Sequence, residues 1–237
     1  MAHRKEEDKK EYMVKYRENH KEEIKTCQKR YNENHQKERE EYYNKNREKI
    51  LNQNKEYNKQ IKIQALNILG SCNCIICGNI NLNYLTVDHI DKTGSLDRKN
   101  IINGKNFYSF LSNGLYPAEK LSNLRILCYN CNCGRRKEYL TVSYELQTIQ
   151  QRYQTKLWKQ AFEFFGPCKT CGDTNLVHLT ISHIHNDGAE RRKNGEKFGV
   201  NLLAEFRKQG WPESLKEDYC LECYNCNCSR KFIDKTP

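Results

Sequence analysis

The sequence predicts an α+β protein in which two small zinc-bound modules lie in tandem behind a long N-terminal α-helical arm. Three observations support this prediction. Two Cys-x-x-Cys motifs enclose a β-branched segment that ends in histidine, and the whole arrangement occurs twice. The first sixty residues contain no proline and no glycine. We therefore divide the chain into an arm (1–60), a first module (61–140), a connecting helix (141–165) and a second module (166–237).

The arm is polar and carries a loose repeat that begins with tyrosine. The three copies run Tyr16-Arg-Glu-Asn-His20, Tyr31-Asn-Glu-Asn-His35 and Tyr43-Asn-Lys-Asn-Arg47. Apolar residues recur about every 3.7 positions, close to an eleven-residue repeat, which favours one long exposed helix. Residues 1–65 hold 18 basic and 13 acidic side chains, so the arm could lie along nucleic acid. The competing interpretation is a solvated helix, or a stripe that pairs two chains into a homodimer.

Helices and short strands are expected around each pair of cysteine motifs. Residues 61–69 and 157–165 indicate amphipathic helices, which would end at Gly70 and Gly166. Alternating β-branched residues predict two strands, Leu85-Thr-Val-Asp88 and Leu179-Thr-Ile-Ser182. Glycines mark the turn after each strand, at Gly94 and Gly188. A basic helix is expected to begin at Asn132.

Eight cysteines have the spacing of zinc ligands. They form four pairs, two in each module: Cys74 and Cys77, Cys128 and Cys131, Cys168 and Cys171, Cys223 and Cys226. Two thiolate pairs about fifty residues apart suit a tetrahedral Zn²⁺ site that joins the ends of a small domain. Modules of about seventy-five residues bury little apolar surface, so each is expected to depend on a structural zinc ion. Nearby cysteines leave alternative ligation open: Cys72, Cys133, Cys220 and Cys228.

The charge and composition exclude several classes of protein. The net charge is +11 and the isoelectric point about 9.0, which favours a polyanionic partner, with a merely solvated basic surface as the alternative. No apolar run approaches the ~18 residues that a membrane span needs. An odd count of thirteen cysteines, eight of them at metal-binding spacing, and the lack of a signal peptide predict a reducing intracellular compartment, either cytoplasm or nucleus.

The first module contains the groups that phosphodiester hydrolysis needs. This reaction requires a base that activates water and a cation that stabilises the charge on the phosphate. His89 can accept a proton from water. Asp88 offers a carboxylate and Asn132 an amide oxygen, both suited to a hard ion such as Mg²⁺. The alternative is a structural histidine in a zinc scaffold that only binds nucleic acid.

These residues resemble the HNH family of His-Me finger (ββα-metal) endonucleases, in the variant that carries a Cys-x-x-Cys…Cys-x-x-Cys zinc site. The family pattern is Asp-His, then Asn-Leu-x-x-Leu-Cys-x-x-Cys-Asn-x-x-Lys/Arg. The chain meets it with Asp88-His89 and with the segment from Asn123 to Arg135. The resemblance covers residues 74–137 and, as a second copy, 168–231, but not residues 1–60.

The resemblance implies a ββα-metal fold for both modules and assigns roles to residues of the first. His89 is then the general base, and Asp88 and Asn132 hold one Mg²⁺ or similar ion. Asn123 would fix the loop that carries the base. Arg135 would lie near the scissile phosphate, where a guanidinium suits the phosphate oxygens.

The second copy departs from the family pattern at two positions. Ser182 stands where the first copy has Asp88, and Asp218 where it has Asn123. A hydroxyl is a weak ligand for a hard cation, so we expect this module to keep its zinc and its fold, to bind DNA and to cleave little. His183 and Asn227 still mark a second candidate site.

The leading hypothesis is a metal-dependent DNA endonuclease or nickase that uses two structural Zn²⁺ and a catalytic Mg²⁺ or similar ion. Basic residues expected to contact nucleic acid are Arg98, Lys99, Arg135, Arg136, Arg191, Arg192, Lys193, Arg230 and Lys231. The alternative is a non-catalytic, zinc-stabilised nucleic-acid-binding or architectural protein, and RNA stays open as a partner. The resemblance implies a phage, virus or mobile element as the biological setting.

Overall fold

A computed structural model describes residues 2–99 and 106–230 of the chain, with side chains from residue 9 onward. Lys231, predicted to contact nucleic acid, lies outside these residues. The described part consists of helices and two small antiparallel sheets, an α+β fold as predicted. The chain divides into two compact units, one up to Lys59 and one from Gln60 onward. Among the described residues, no helix combines the length and apolar character that a membrane span requires.

The arm consists of three helices instead of the single helix that the periodicity predicts. They are α1 (Ala2–Asn19), α2 (Lys21–Asn34) and α3 (Gln36–Ile68). The breaks fall at His20 and His35, where the backbone leaves the helical region. Each imidazole packs on the tyrosine one turn earlier, with ring centroids 4.3 Å apart for Tyr16 and His20 and 4.0 Å for Tyr31 and His35. The third copy of the repeat ends in Arg47, and α3 continues through it.

The second unit contains both cysteine-rich modules. The first module has β1 (Leu85–His89), α4 (Gly94–Asp97), α5 (Phe107–Ser112), β2 (Leu124–Cys128) and α6 (Tyr129–Gly134). The second has α7 (Ile149–Phe165), β3 (Leu179–His183), α8 (Gly188–Lys193), α9 (Val200–Lys208), α10 (Leu215–Asp218), β4 (Tyr219–Cys223) and α11 (Tyr224–Ser229). Short 3₁₀ helices span Ala118–Asn123, Arg135–Thr141 and Tyr144–Leu146.

Each module is built on one antiparallel strand pair that leads directly into a short helix. In the first module Leu85 pairs with Cys128 and His89 with Leu124. In the second module the corresponding pairing runs from Leu179 with Cys223 to His183 with Tyr219. Both predicted strands therefore extend one residue further, so that the candidate histidine is the last residue of its strand.

The predicted amphipathic helices supply the two cores. Leu66 of α3 is fully buried with Leu85 and Leu127, beside the first cysteine cluster. Leu157 and Trp158 of α7 are buried in the larger core of the second module, which also contains Leu179, Leu203, Phe206 and Leu221. In each module the helix, α3 or α7, packs on one face of the strand pair. This packing holds in place the strands that carry the candidate site.

The connecting helix is shorter than predicted, because it begins at Ile149 and not near residue 141. The Thr148 side chain accepts a hydrogen bond from the Gln151 backbone, and the Gln151 side chain accepts one from the Thr148 backbone. This capping box stabilises the first turn of α7. Gln147 donates to the carbonyl oxygens of Tyr139 and Val142, which joins the two short 3₁₀ helices that precede α7 and keeps this segment out of an α-helix.

The two modules pack against each other through equivalent helices. The backbone N–H of Asn130 in α6 donates to the Asn225 side-chain oxygen at 3.0 Å, and the N–H of Asn225 in α11 donates to the Asn130 side-chain oxygen at 2.8 Å. Both residues are buried. This reciprocal pairing is the pattern of an isologous dimer interface, formed here within one chain.

Lys137 adds a second link between the modules. Its ammonium group donates to the backbone carbonyl oxygens of Leu176, at 2.9 Å, and Leu179. It also lies 3.9 Å from the centre of the Trp158 ring, a cation–π geometry. Burial lowers the pKa of Lys137 to about 7. The Lys137 side chain of the first module thus contacts α7 of the second module and the segment that leads into β3.

Candidate functional site

Two groups of four cysteines have the geometry of zinc sites. The groups are Cys74, Cys77, Cys128 and Cys131, and Cys168, Cys171, Cys223 and Cys226, and within each group the sulfur atoms lie within 4.8 Å of one another. The Sγ atoms of Cys77 and Cys128 are 3.7 Å apart, as are those of Cys171 and Cys223. Zn–S bonds of about 2.3 Å in a tetrahedron place sulfur atoms about 3.8 Å apart. The two groups could therefore hold two zinc ions.

The electrostatics of the first cysteine group also suit a cation. Burial alone would raise the pKa of Cys74, but backbone N–H groups of Cys77, Cys128 and Ile76 outweigh it and lower the pKa to about 7. Burial and the neighbouring thiols of Cys128 and Cys77 raise the pKa of Cys131. One thiolate is thus favoured, while further thiolates need a positive ion to offset their mutual repulsion.

The additional cysteines lie outside both groups of potential ligands. Within the described residues, neither group includes Cys72, Cys133, Cys220 or Cys228. The Sγ atom of Cys72 instead lies 3.2 Å from the Asn67 side-chain oxygen. The alternative ligation that the sequence left open is therefore not the arrangement that the fold adopts.

Three of the four predicted catalytic residues of the first module line one cleft, and Asn123 is not among its lining residues. The cleft has a volume of about 1020 Å³, and its lining includes Asp88, His89, Asn132 and Arg135. β1 contributes the first two residues and α6 and its extension the other two. Because β2 runs straight into α6, pairing of the two strands brings the start of this helix against the end of β1.

Asp88 and Asn132 lie on either side of one guanidinium group. Arg135 Nη2 donates to Asp88 Oδ1 at 2.7 Å and to Asn132 Oδ1 at 2.9 Å. Arg125 Nε donates to the other carboxylate oxygen of Asp88 at 2.8 Å. A carboxylate and an amide oxygen that surround the same positive group are a donor set that fits a hard divalent cation. These residues are thus able to hold Mg²⁺ if the Arg135 guanidinium moves aside.

His89 is oriented by a buried carboxylate that the sequence analysis did not identify. Its Nε2 lies 3.2 Å from Asp97 Oδ2, and Asp97 is only 3% exposed. Asp97 also accepts hydrogen bonds from the Tyr116 hydroxyl at 2.5 Å and from the Lys120 ammonium at 3.0 Å. Burial raises the pKa of Asp97, but the hydrogen bonds from Tyr116 and Lys120 outweigh it and lower the pKa overall. Asp97 is therefore ionised beside His89.

Asn123 lies under the loop that follows His89. Its side-chain amide donates to Asp91 Oδ2 at 2.7 Å, and its backbone carbonyl accepts from the Ile90 N–H at 2.8 Å. Hydrogen bonds from Thr93 lower the pKa of Asp91, so its carboxylate is ionised in this loop. The contacts match the loop-fixing role that the resemblance implies for Asn123.

Gly94 and Gly188 do not serve the turns that the sequence predicts. Each is the first residue of a short helix, α4 or α8, and neither has a positive φ. A Cβ atom at Gly94 would lie 2.8 Å from His89 Nδ1, and one at Gly188 would lie 2.4 Å from His183 Nδ1. Glycine is required because the backbone approaches the imidazole ring.

The second module keeps a paired histidine but rearranges the residues around it. His183 Nε2 lies 2.6 Å from Glu196 Oε2, and the Tyr219 hydroxyl donates to Glu196 Oε1 at 2.5 Å. Ser182 Oγ donates to the Asn227 side-chain oxygen at 3.2 Å. Serine replaces the carboxylate, so Ser182 and Asn227 form a neutral pair where the first module has an anionic one.

Apart from Arg135, which lies in the cleft, the described basic residues predicted to bind nucleic acid fall into two groups. Five have exposed side chains: Arg98, Lys99, Arg136, Arg192 and Lys193. Two others are engaged inside the second module. Arg191 donates to Asp187 at 2.7 Å and to Asp218 at 2.8 Å, and Arg230 pairs with Glu222 at 2.5 Å. Lys92, which was not predicted, lines the cleft.

Little in the sequence points to Asp97, to Glu196 or to the hydroxyl contact of Tyr116. Tyr116 is a buried aromatic residue of the first module, and its hydroxyl contacts Asp97. Asp97 and Glu196 follow their histidines at different distances along the chain, so the comparison of the two copies does not reveal them.

Comparison of the chain with models of known protein families, with curated proteins and with solved structures finds no match. The chemistry of the cleft in the first module, and the internal comparison with the second module, therefore carry the functional assignment.

Proposed function

We propose that this protein is a metal-dependent endonuclease or nickase of the HNH, ββα-metal type that hydrolyses phosphodiester bonds of DNA. One observation carries the proposal. Asp88, His89 and Asn132 line the same cleft, and the two oxygen donors meet at one positive group. A base beside a pair of hard oxygen ligands is the minimum that phosphodiester hydrolysis requires.

Asp88 and Asn132 would hold Mg²⁺ or a similar ion, which supplies positive charge to the phosphate and to the leaving 3′ oxygen. The product would carry a 5′ phosphate and a 3′ hydroxyl, as the family resemblance implies. His89 takes the proton from the attacking water. Arg135 already donates two hydrogen bonds to anionic and amide oxygens, and the same donors suit the oxygens of a phosphate.

The zinc groups and the second module would serve as a scaffold and as a binding surface. The cysteine groups join the ends of both small cores, where a bound zinc ion contributes on the order of 10 kcal/mol to folding. The second module lacks the carboxylate at Ser182, so it would bind DNA without cleaving it. One active module makes a nick, and a double-strand break would need a homodimer. Eight thiolate ligands imply a reducing compartment, which places the protein inside a cell.

A plasmid assay tests the proposal. With Mg²⁺, we expect the protein to convert supercoiled plasmid to the open circle. His89→Ala should lower the rate on the order of 10³-fold, because the base is lost. His183→Ala is the matched control and should nick at the wild-type rate. Zinc content and thermal unfolding of both variants show that they are folded.

The same assay distinguishes the outcomes. Loss of nicking in His183→Ala, with His89→Ala active, would assign catalysis to the second module instead. Absence of nicking by the wild-type protein across Mg²⁺, Mn²⁺ and several DNA and RNA substrates would reject the nuclease.

One observation favours a second candidate function, a zinc-stabilised protein that binds nucleic acid without cleaving it. Both carboxylate oxygens of Asp88 are engaged, one by Arg125 and one by Arg135. In this alternative the ion pairs are purely structural, and Mg²⁺ does not displace Arg135. Binding that falls steeply with salt, together with no nicking, would support it.

A further inference from the structure

We propose that Asp97 is the positioning residue of the proposed nuclease site and fixes which nitrogen of His89 accepts the proton from water. The inference rests on the proposed function. Two contacts of the His89 ring carry it. The buried Asp97 carboxylate lies beside Nε2, and the backbone of Gly94 packs close to Nδ1. Asp97 would not touch the substrate, because it lies behind the imidazole ring.

The carboxylate of Asp97 is held rigidly in place. It receives hydrogen bonds from two other donors, the Tyr116 hydroxyl and the Lys120 ammonium. The Tyr116 ring packs in turn against Phe107, with centroids 5.7 Å apart. A carboxylate fixed by these two donors cannot rotate to follow the histidine, so the histidine is oriented by the carboxylate.

An ionised carboxylate beside Nε2 selects one form of the neutral imidazole. Asp97 has no proton to donate, so the hydrogen must reside on His89 Nε2, and the lone pair is left on Nδ1. Nδ1 is the nitrogen that faces Gly94, where a Cβ atom would lie at 2.8 Å. Gly94 and His89 both line the cleft, and the absence of a side chain at Gly94 leaves open the space beside that nitrogen. The base nitrogen is thus the one on the side of Gly94, away from Asp97.

The second module builds the same arrangement from residues at different positions. Glu196, thirteen residues after His183, takes the place of Asp97, which follows His89 by eight. The supporting hydroxyl comes from Tyr219 at the start of β4, whereas Tyr116 precedes the 3₁₀ helix before β2. Gly188 again stands against Nδ1. Each histidine thus pairs with a carboxylate that a tyrosine hydroxyl supports, although the partners come from unequal positions.

Asp97→Asn is the variant that tests the inference. The Lys120 ammonium needs an acceptor, so the amide oxygen should stay towards Lys120 and the amide nitrogen should face His89. That nitrogen donates to Nε2, and the imidazole proton moves to Nδ1, the wrong nitrogen for the reaction. We expect kcat for plasmid nicking to fall on the order of 10²-fold with KM unchanged. Nitrogen NMR of the imidazole should show the proton on Nε2 in the wild type and on Nδ1 in the variant.

Tyr116→Phe is the matched variant for a purely structural role. It removes a buried hydrogen bond from Asp97 but leaves the carboxylate beside His89, so the proton should stay on Nε2 and kcat should fall less than about tenfold. If Asp97→Asn does not fold, Tyr116→Phe and the NMR spectrum of the wild type still test the inference. A wild-type proton on Nδ1 overturns it.

The kinetic outcomes separate this inference from the proposed function. A wild-type protein that nicks, together with Asp97→Asn at the same kcat, overturns the role of Asp97 and leaves the nuclease intact. A different result is that Asp97→Asn and Tyr116→Phe lose kcat and thermal stability equally, with the imidazole proton on the same nitrogen as in the wild type. That result would make Asp97 a structural residue and would also overturn the inference. A wild-type protein that does not nick overturns both.

Discussion

A single absent side chain decides how closely the backbone can approach His89. At Gly94 a Cβ atom would lie 2.8 Å from the imidazole Nδ1 and 3.3 Å from Cε1. Real Cβ atoms do not approach that closely, so the first turn of α4 or the imidazole ring would have to shift. Because a catalytic group misplaced by about 1 Å costs on the order of 10²-fold in rate, this glycine is a sensitive probe of the site.

We therefore expect Gly94→Ala to lower plasmid nicking on the order of 10²-fold while zinc content stays unchanged. Gly188→Ala is the matched control, since it introduces the same clash against His183, at 2.4 Å, in the module expected not to cleave. Its nicking rate should equal that of the wild type. Equal nicking rates for the wild type, Gly94→Ala and Gly188→Ala would show that catalysis does not depend on the close contact between the Gly94 backbone and His89.

At the scale of elements, helices α6 and α11 join the two modules. Asn130 and Asn225 exchange hydrogen bonds between side chain and backbone in a buried position. The Asn130 amide also lies 3.3 Å from Asp173 in the loop of the second cysteine group. Packing of these helices therefore connects the stability of one module to that of the other.

Asn130→Ala should lower the free energy of unfolding by about 2 kcal/mol, because it leaves the buried N–H of Asn225 without an acceptor. Urea unfolding measures the change. Asn225→Ala should cost a similar amount, because it removes the separate hydrogen bond that the Asn130 backbone N–H donates. Asn201→Ala, at an exposed position of α9, is the control and should stay within about 0.5 kcal/mol of wild type. Losses below about 0.5 kcal/mol in both asparagine variants would contradict the reciprocal pairing.

At the scale of the whole molecule, the two cysteine groups compensate for small cores. Among the described residues, the cluster beside the first group contains six buried residues, of which Cys74 and Cys128 are ligand candidates, and a neighbouring cluster adds four more. So little apolar packing leaves a module of this size marginally stable without a metal ion. The second core is larger and gains aromatic residues from α7 and α9.

Metal analysis should return two zinc ions per chain. Removal of zinc by a strong chelator should unfold the first module before the second, because its core is smaller. Cys77→Ser should leave one zinc ion, whereas Cys72→Ser, two residues before Cys74 and outside the group, should leave two. A value near zero for the wild type, or one zinc ion in Cys72→Ser, would reject the ligand sets described above.

Much of this architecture follows from local patterns along the chain. The Cys-x-x-Cys spacing identified both ligand groups, and β-branched alternation located β1 and β3, though not β2 and β4, to within one residue. Asp88, His89 and Asn132 were predicted to meet, and they line one cleft. These features are predictable because each depends on residues close in sequence or on a motif whose spacing the chemistry dictates.

Other features depend on distances that only the folded chain defines. The breaks of the arm fall at His20 and His35, whose rings pack on Tyr16 and Tyr31, and a helical period does not reveal them. Arg191 and Arg230 were predicted to contact nucleic acid, and folding places carboxylates beside both of them. Asp97 reaches His89 across a loop whose length differs between the two copies. Sequence supplies charge and spacing, whereas the partner of each charged or polar group is settled by the loops and packing that bring distant residues together.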